Sequence, residues 1–229
     1  MRDKEEHVGN LIDTTEMYLK TIFEMEEDGI PPLRARIVER LGQSGPTVSQ
    51  TVARMERDKL VFVGEDRIIQ LSKEGRSRAI EVIRKHRLVE CLLVGPLKLP
   101  WAEAHEEACR WEHVLSKKVE ERLADVMGDP AVDPYGNPIP GHKPVAERHE
   151  VAASELELDG NKEVQITRFG EPLQAEPGVL GQLQQFSIQV GTTVTILVEG
   201  DVARLKSAST RGDVRFDASL LAHLFVAIN

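Results

Sequence analysis

Four residues, Gly42-Gln43-Ser44-Gly45, separate two short amphipathic stretches and leave the chain few ways to continue. Ahead of them, LRARIVERL carries Leu33, Ile37 and Leu41 four apart, one apolar stripe along two turns of helix. Behind them, Pro46 suits the first turn of a new helix, PTVSQTVARMERD. Val48, Val52 and Met55 recur there at i, i+4 and i+7, again a single buried stripe. Two helices joined by so tight a glycine-containing turn form a helix-turn-helix. Next comes LVFVGEDRIIQLS, two β-rich runs around Gly64-Glu65-Asp66, which reads as a hairpin. A hairpin directly after a helix-turn-helix is the wing of a winged helix.

The second helix turns Thr47, Ser49, Gln50, Arg54 and Arg57 away from its apolar stripe. A solvated polar face would look the same, but the wing favours a helix that enters the major groove. Gln50 and Thr47 lie near its N-terminus, where side chains reach base edges, while Arg36, Arg54, Arg57 and the hairpin residue Arg67 suit phosphates. With Arg34, Ser44 and Pro46 they form the candidate contact set for double-stranded DNA. Charge agrees locally. The chain carries a net −9, yet residues 33–87 hold 13 Lys/Arg against 7 Asp/Glu, a net +6 that leaves −15 for the rest. A basic segment within an acidic protein is a localised electrostatic footprint.

A different chemistry lies in HEEACRWEH, residues 105–113. As helix at about 100° per residue, Cys109 falls roughly 40° from His105, His113 roughly 80°, and Glu112 about −20°. Two imidazoles, a thiol and a carboxylate on one face are ligands for a first-row transition metal. Any one of them alone would be an ordinary surface or core residue; four on one arc would be costly to bury unpaired. A second pair, His86 and Glu90 at i, i+4 in RKHRLVE, precedes them, enough for two metal sites. A metallohydrolase using His86, His105 and Glu112 is the competing use, but it leaves the basic winged helix unexplained and no substrate pocket is evident. A metal-independent DNA-binding protein is the other alternative.

The remaining stretches fill in the organisation. Asp13 reads as an N-cap with Glu16 three residues on, opening the helix DTTEMYLKTIFEMEED, whose stripe is Leu19, Ile22, Phe23 and Tyr18. From local pattern Met17 belongs to that core, and His7 is a solvated residue. Ser72 caps a long helix carrying His86 and Glu90, and Ser116 starts KKVEERLADVMG. These helices expose more apolar surface than a small bundle needs, including Ile83, Leu88, Leu92 and Val119, which suits a homodimer. Residues 129–147 are Pro/Gly-rich and read as a linker. Beyond them, EVQITRF, TTVTILVEG, VARLKSA and DVRF are β-runs, with a short helix near PGVLGQLQQF. The expected fold is mainly α with β: an N-terminal winged helix-turn-helix over 1–80, a helical dimerisation domain over 81–147, and a small SH3-like β-barrel over 148–229. Two cysteines make no disulfide framework, and no signal peptide or membrane span is evident, so a cytoplasmic protein without membrane contact is expected.

The strings DTTEMYL, PLRAR, QSGPTVSQTVARMERD, RKHRL, EACRWEHV and PYGNPIPG, collinear from residue 13 to 141, resemble the diphtheria-toxin-repressor and iron-dependent-regulator family. The resemblance implies a homodimeric, Fe(II)-activated repressor of iron-homeostasis genes, bound to an inverted-repeat operator that can take two dimers. It implies no enzyme. It implies two metal sites per subunit: a primary one at Met17, Cys109, Glu112 and His113, and an ancillary one at His86, Glu90 and His105, helped by Glu171 and Gln174 of EPLQ. Met17 thereby changes from core residue to thioether ligand, and Cys109 ligates by thiolate or by its backbone carbonyl. The soft and hard donors together suit Fe(II), with Co(II), Ni(II), Mn(II) and Zn(II) as substitutes in vitro. The manganese-responsive branch carries acidic residues where Met17 and Cys109 stand, which favours iron. One departure is Asp133, at the place where an anion-binding serine stands beside the counterparts of Arg87 and Asn137.

Overall fold

The computed structural model describes residues 14–141, 149–157, 162–209 and 211–227. The cap expected at Asp13 and the solvated His7 lie outside the described residues. The chain divides into two compact units. One holds the described residues up to His86 together with Cys109–Glu120; the other holds Arg87–Ala108 and the described residues from Glu121 on.

In the first unit, α1 (Thr14–Glu27), α2 (Arg34–Leu41) and α3 (Gly45–Arg57) precede a hairpin of β1 (Val61–Val63) and β2 (Ile69–Leu71). The turn between α2 and α3 behaves as its residues dictate. Gly42 ends α2 at φ 60, a left-handed conformation that glycine adopts without strain. Ser44 then caps α3, its Oγ accepting from the Thr47 backbone N–H at 3.3 Å. The hairpin pairs Val61 with Leu71 and Val63 with Ile69, so those four side chains share one face. That face joins Tyr18, Leu19, Ile22, Ile37, Val48, Val52 and Met55 in a single core. The winged helix-turn-helix is thus observed, with α1 built into its core.

Helix α4 (Lys73–Val94) starts from the Ser72 cap, whose Oγ accepts from Gly75 N at 3.0 Å. Its first turn lies against the hairpin so closely that a Cβ at Gly75 would sit 2.0 Å from the Leu60 carbonyl oxygen, a contact only glycine avoids. Helix α5 (Trp101–Trp111) stops short of the expected end. Val114 N donates to the Trp111 carbonyl at 3.1 Å, a tightened three-residue turn, so Glu112 and His113 stand in a turn instead of on the helix face with His105 and Cys109. Helix α6 (Lys117–Val126) follows, with Ser116 Oγ accepting from Val119 N at 3.4 Å.

In the second unit, most of the stretch expected as a linker is folded. Val132 bridges Pro138, and Asp133 closes the turn between them by accepting from Tyr135 N at 2.8 Å and Asn137 N at 2.9 Å. Tyr135 is fully buried, its hydroxyl donating to the Trp101 carbonyl at 2.7 Å. Residues 142–148 lie outside the described residues. The C-terminal part holds β3 (Glu150–Ala152), β4 (Glu163–Phe169), α7 (Glu171–Ala175), α8 (Val179–Gln185), β5 (Thr193–Glu199), β6 (Val202–Ser207), β7 (Val214–Asp217) and β8 (Leu224–Ala227). The strands make one antiparallel sheet in the order β3-β8-β4-β5-β6-β7. Among the described residues β3 and β7 do not pair, so the expected barrel is an SH3-like sheet left open. Its core takes in Phe169, Leu173, Leu183, Ile196, Leu205 and Tyr135.

Candidate metal centres and DNA-contact face

Helix α1 has two working faces. Tyr18, Leu19, Ile22 and Met25 enter the winged-helix core, while Glu16, Lys20 and Glu24, four apart, form a polar stripe. Lys20 is only 5% exposed, and its Nζ donates to Glu112 Oε2 at 2.8 Å and lies 3.3 Å from His86 Nδ1. The same Glu112 Oε2 is 2.5 Å from His86 Nδ1, and Glu112 Oε1 is 3.2 Å from His113 Nε2. The other ring nitrogen of His113 meets Glu16 Oε2 at 2.8 Å. Met17 and Cys109, on α1 and α5, are both half-buried in this unit. The structure therefore brings His86, Glu112 and His113 together, and adds Glu16 and Lys20.

The electrostatics follow from those contacts. Burial opposes ionisation of Glu112, yet Lys20 and His86, with the hydrogen bonds from His113 and His86, hold its carboxyl well below the usual range. Hydrogen bonds to Glu112 and then Glu16 push His113 up to about 9, against the opposing effect of burial. An ionised carboxylate and an imidazole in a nearly dry pocket are apt cation ligands, the imidazole once it has given up its proton. The donor set fits a divalent metal.

The second unit gathers another set. Glu90 on α4 is fully buried, with Oε1 at 3.2 Å from His105 Nδ1. His105 Nε2 is 3.9 Å from Glu171 Oε1. Gln174, one turn further along α7, donates Nε2 to the Phe169 carbonyl at 2.7 Å, which fixes the amide. Its Oε1 is buried without a hydrogen-bond partner among the described residues. A buried acceptor left without a donor is destabilising, and a cation is a natural occupant for it. These residues too fit a metal. Beside them Asp133 also accepts from Asn137 Nδ2 at 3.0 Å and stands 3.7 Å from Arg87 Nε. Arg87 additionally donates to the Pro138 carbonyl. Burial, and then the charge of Glu90, push Asp133 up to about 7, with Arg87 and Asn137 opposing. Asp133 thus sets a carboxyl group against Arg87 within the chain itself.

The candidate DNA contacts lie together on the first unit. Ser44, Pro46, Thr47, Ser49, Gln50, Arg54 and Arg57, at the start and along one side of α3, are exposed, as is Arg67 in the hairpin turn. Arg34 and Arg36 on α2 are half-exposed, and Arg36 Nη1 donates to the Pro31 carbonyl at 2.8 Å. Arg54 Nη2 reaches Thr15 Oγ1 at 3.5 Å.

Comparison with known proteins decides the family. Residues 10–68 match the iron dependent repressor N-terminal DNA binding domain, and residues 72–141 the iron dependent repressor metal binding and dimerisation domain. The chain is 46% identical over 211 residues to a diphtheria toxin repressor of Corynebacterium jeikeium, covering 84% of this chain and 88% of that one. It belongs to the iron-dependent repressor family. It is likewise 48% identical over 197 residues to the iron-dependent repressor IdeR of Mycobacterium tuberculosis, covering 82% and 86%. The structure of the manganese regulator SloR superposes with a TM-score of 0.72 at 25% identity, over 94% of this chain and 98% of that one. This repressor thus has the DNA-binding and metal-binding organisation that its sequence implies.

Two residues at the first cluster went unnoticed in the repressor's sequence. Glu16 reads in the sequence as part of a helix cap, and in the structure its carboxylate reaches His113. Lys20 drew no attention because a Glu-Lys-Glu series four apart is the ordinary mark of a solvated face.

Proposed function

We propose that this repressor is activated by Fe(II) and acts as a homodimer on an inverted-repeat operator of iron-homeostasis genes. The supporting observation is the double membership of α1. Tyr18, Leu19 and Ile22 lie in the core that carries α3 and the hairpin, while Glu16 and Lys20 are bonded to His113 and Glu112. Whatever rearranges Glu112 and His113 acts on the helix that supports the DNA-reading elements.

Met17, Cys109, Glu112 and His113 would hold one metal, and Glu90, His105, Glu171 and Gln174 the ancillary one. A bound divalent ion supplies positive charge that draws these donors together. Glu112 would contribute an ionised oxygen and His113 a ring nitrogen after losing its proton, and α1, which shares a core with α3, would link these residues to it. The differential affinity involved in such coupling is worth about 1–3 kcal/mol. Segments 1–80, 81–147 and 148–229 would serve DNA binding, metal binding with dimerisation, and support of the ancillary site.

Fluorescence anisotropy of a labelled inverted repeat, measured anaerobically with Fe(II) or Mn(II) and then chelator, tests the reading. Binding that appears with Fe(II) and collapses with chelator is expected. Met17→Ala is expected to abolish the metal response while leaving the circular dichroism spectrum unchanged; full activation of that variant would remove Met17 from the site. Manganese regulation is the second reading, favoured by the likeness to SloR, and a lower half-saturating Mn(II) concentration would select it.

A further inference from the structure

On the reading that Glu112 and His113 hold a divalent ion, we propose that Lys20 is a resident cation of that site. Its ammonium holds Glu112 and His86 in the metal-free protein and must yield Glu112 Oε2 to an incoming ion, so it sets the concentration at which metal binds.

The geometry carries this. Lys20 Nζ lies 2.8 Å from Glu112 Oε2, 3.3 Å from His86 Nδ1 and 4.0 Å from Glu24 Oε1, which is where a ligand set would converge on a cation. Side chains of Lys20, Glu112 and His86 are 6%, 3% and 4% exposed, so water does little to screen them. A lysine so buried is unusual unless its charge is answered, and here carboxylates answer it. Glu112 is also divided. Oε1 turns to His113, and Oε2 is shared by Lys20 and His86. A divalent ion using only Oε1 would find one unit of positive charge still bound to the other oxygen of the same carboxylate. An ion using both oxygens would have to expel the ammonium, which is free to go because its four-carbon stem is flexible. In either case Lys20 opposes the metal. It also spares the metal-free protein a buried carboxylate without a counter-charge, so the metal-free fold stays intact while affinity is held down.

The test is Co(II) binding to the full-length protein, followed by its visible d–d absorption and by anaerobic calorimetry. Lys20→Met keeps the length of the side chain and removes its charge; Lys20→Arg keeps the charge and grips a carboxylate with a rigid fork. The expected signature is a pair of opposite signs. Lys20→Met should tighten Co(II) by about ten-fold or more, and Lys20→Arg should weaken it by a similar factor, as a unit charge a few ångströms away in a poorly screened pocket requires. Lys20→Met should also lower the melting temperature of the metal-free protein more than that of the Co(II)-loaded one. A purely structural lysine would make both variants bind less, and unchanged affinity in both overturns the proposal. Should Lys20→Met fail to fold, Lys20→Arg decides alone: weaker Co(II) with a higher metal-free melting temperature supports a resident cation, and wild-type affinity rejects it. Glu112→Gln separates this from the underlying site assignment. If Glu112→Gln binds Co(II) like wild type, the metal lies elsewhere; if it loses binding while Lys20→Met gains nothing, only the role of Lys20 fails.

Discussion

Asp133 is buried in a turn with Glu90 adding negative charge nearby and Arg87 answering only in part. Its folded-state value of about 7 stands above the ordinary 3.8, so folding favours the protonated form. The sign is therefore opposite to that of a salt-bridged aspartate: ionised Asp133 weighs against the fold above pH 7, and the penalty fades as pH falls through 7 towards 3.8. In metal-free protein, the urea midpoint of wild type relative to Asp133→Asn is expected to rise between pH 8 and pH 5. A difference that stays flat over that range would show that Asp133 ionises normally. The candidate ligands are legible as residue types at suggestive spacings. Their protonation and partners are not, because His113 is held by Glu112 and then by Glu16, 97 positions away, and Glu112 meets Lys20, 92 positions away.

Helix α3 was readable from its period and its start signal, and both act as the sequence suggests. Ser44→Ala removes the oxygen that accepts from Thr47 N and is expected to lower stability by about 1 kcal/mol, measured by urea unfolding. On the exposed side, Gln50→Ala is expected to relax base preference. Arg57→Ala is expected to weaken all sequences alike and reduce the salt slope of binding by about 1. If neither substitution alters binding, α3 is not the reading helix. Elements failed to show in the sequence where local pattern was thin. Strands β3 and β8 are 3 and 4 residues long, too short for alternation to register; they pair with each other, and β8 also pairs with β4. The end of α5 was misplaced because Glu112 and His113 fit helical spacing; Glu112 is instead drawn to Lys20 and His86, and His113 to Glu16. The Pro/Gly-rich stretch read as a linker because composition cannot reveal that Asp133 would supply the turn's missing acceptor.

For the whole molecule, association is the open face of the design. Val119 and Val126, two turns apart on α6, are 46% and 69% exposed, and Trp111 and Leu97 add 36% and 57%. Residues 72–141 match a dimerisation domain, which gives exposed apolar side chains such as Val119 a use. Val119→Glu is expected to shift sedimentation equilibrium towards monomer and to weaken operator binding in proportion. A variant as dimeric as wild type would place the interface elsewhere. No described helix is long and apolar enough to cross a membrane. One property of the first cluster bears on synthesis. Glu16 and Lys20 meet partners that leave the ribosome only after roughly half the polypeptide has been made. A nascent repressor cannot assemble this cluster until residue 113 has emerged, so a chain ending before it would present the DNA-reading helix without the contacts that hold Glu16 and Lys20 of α1.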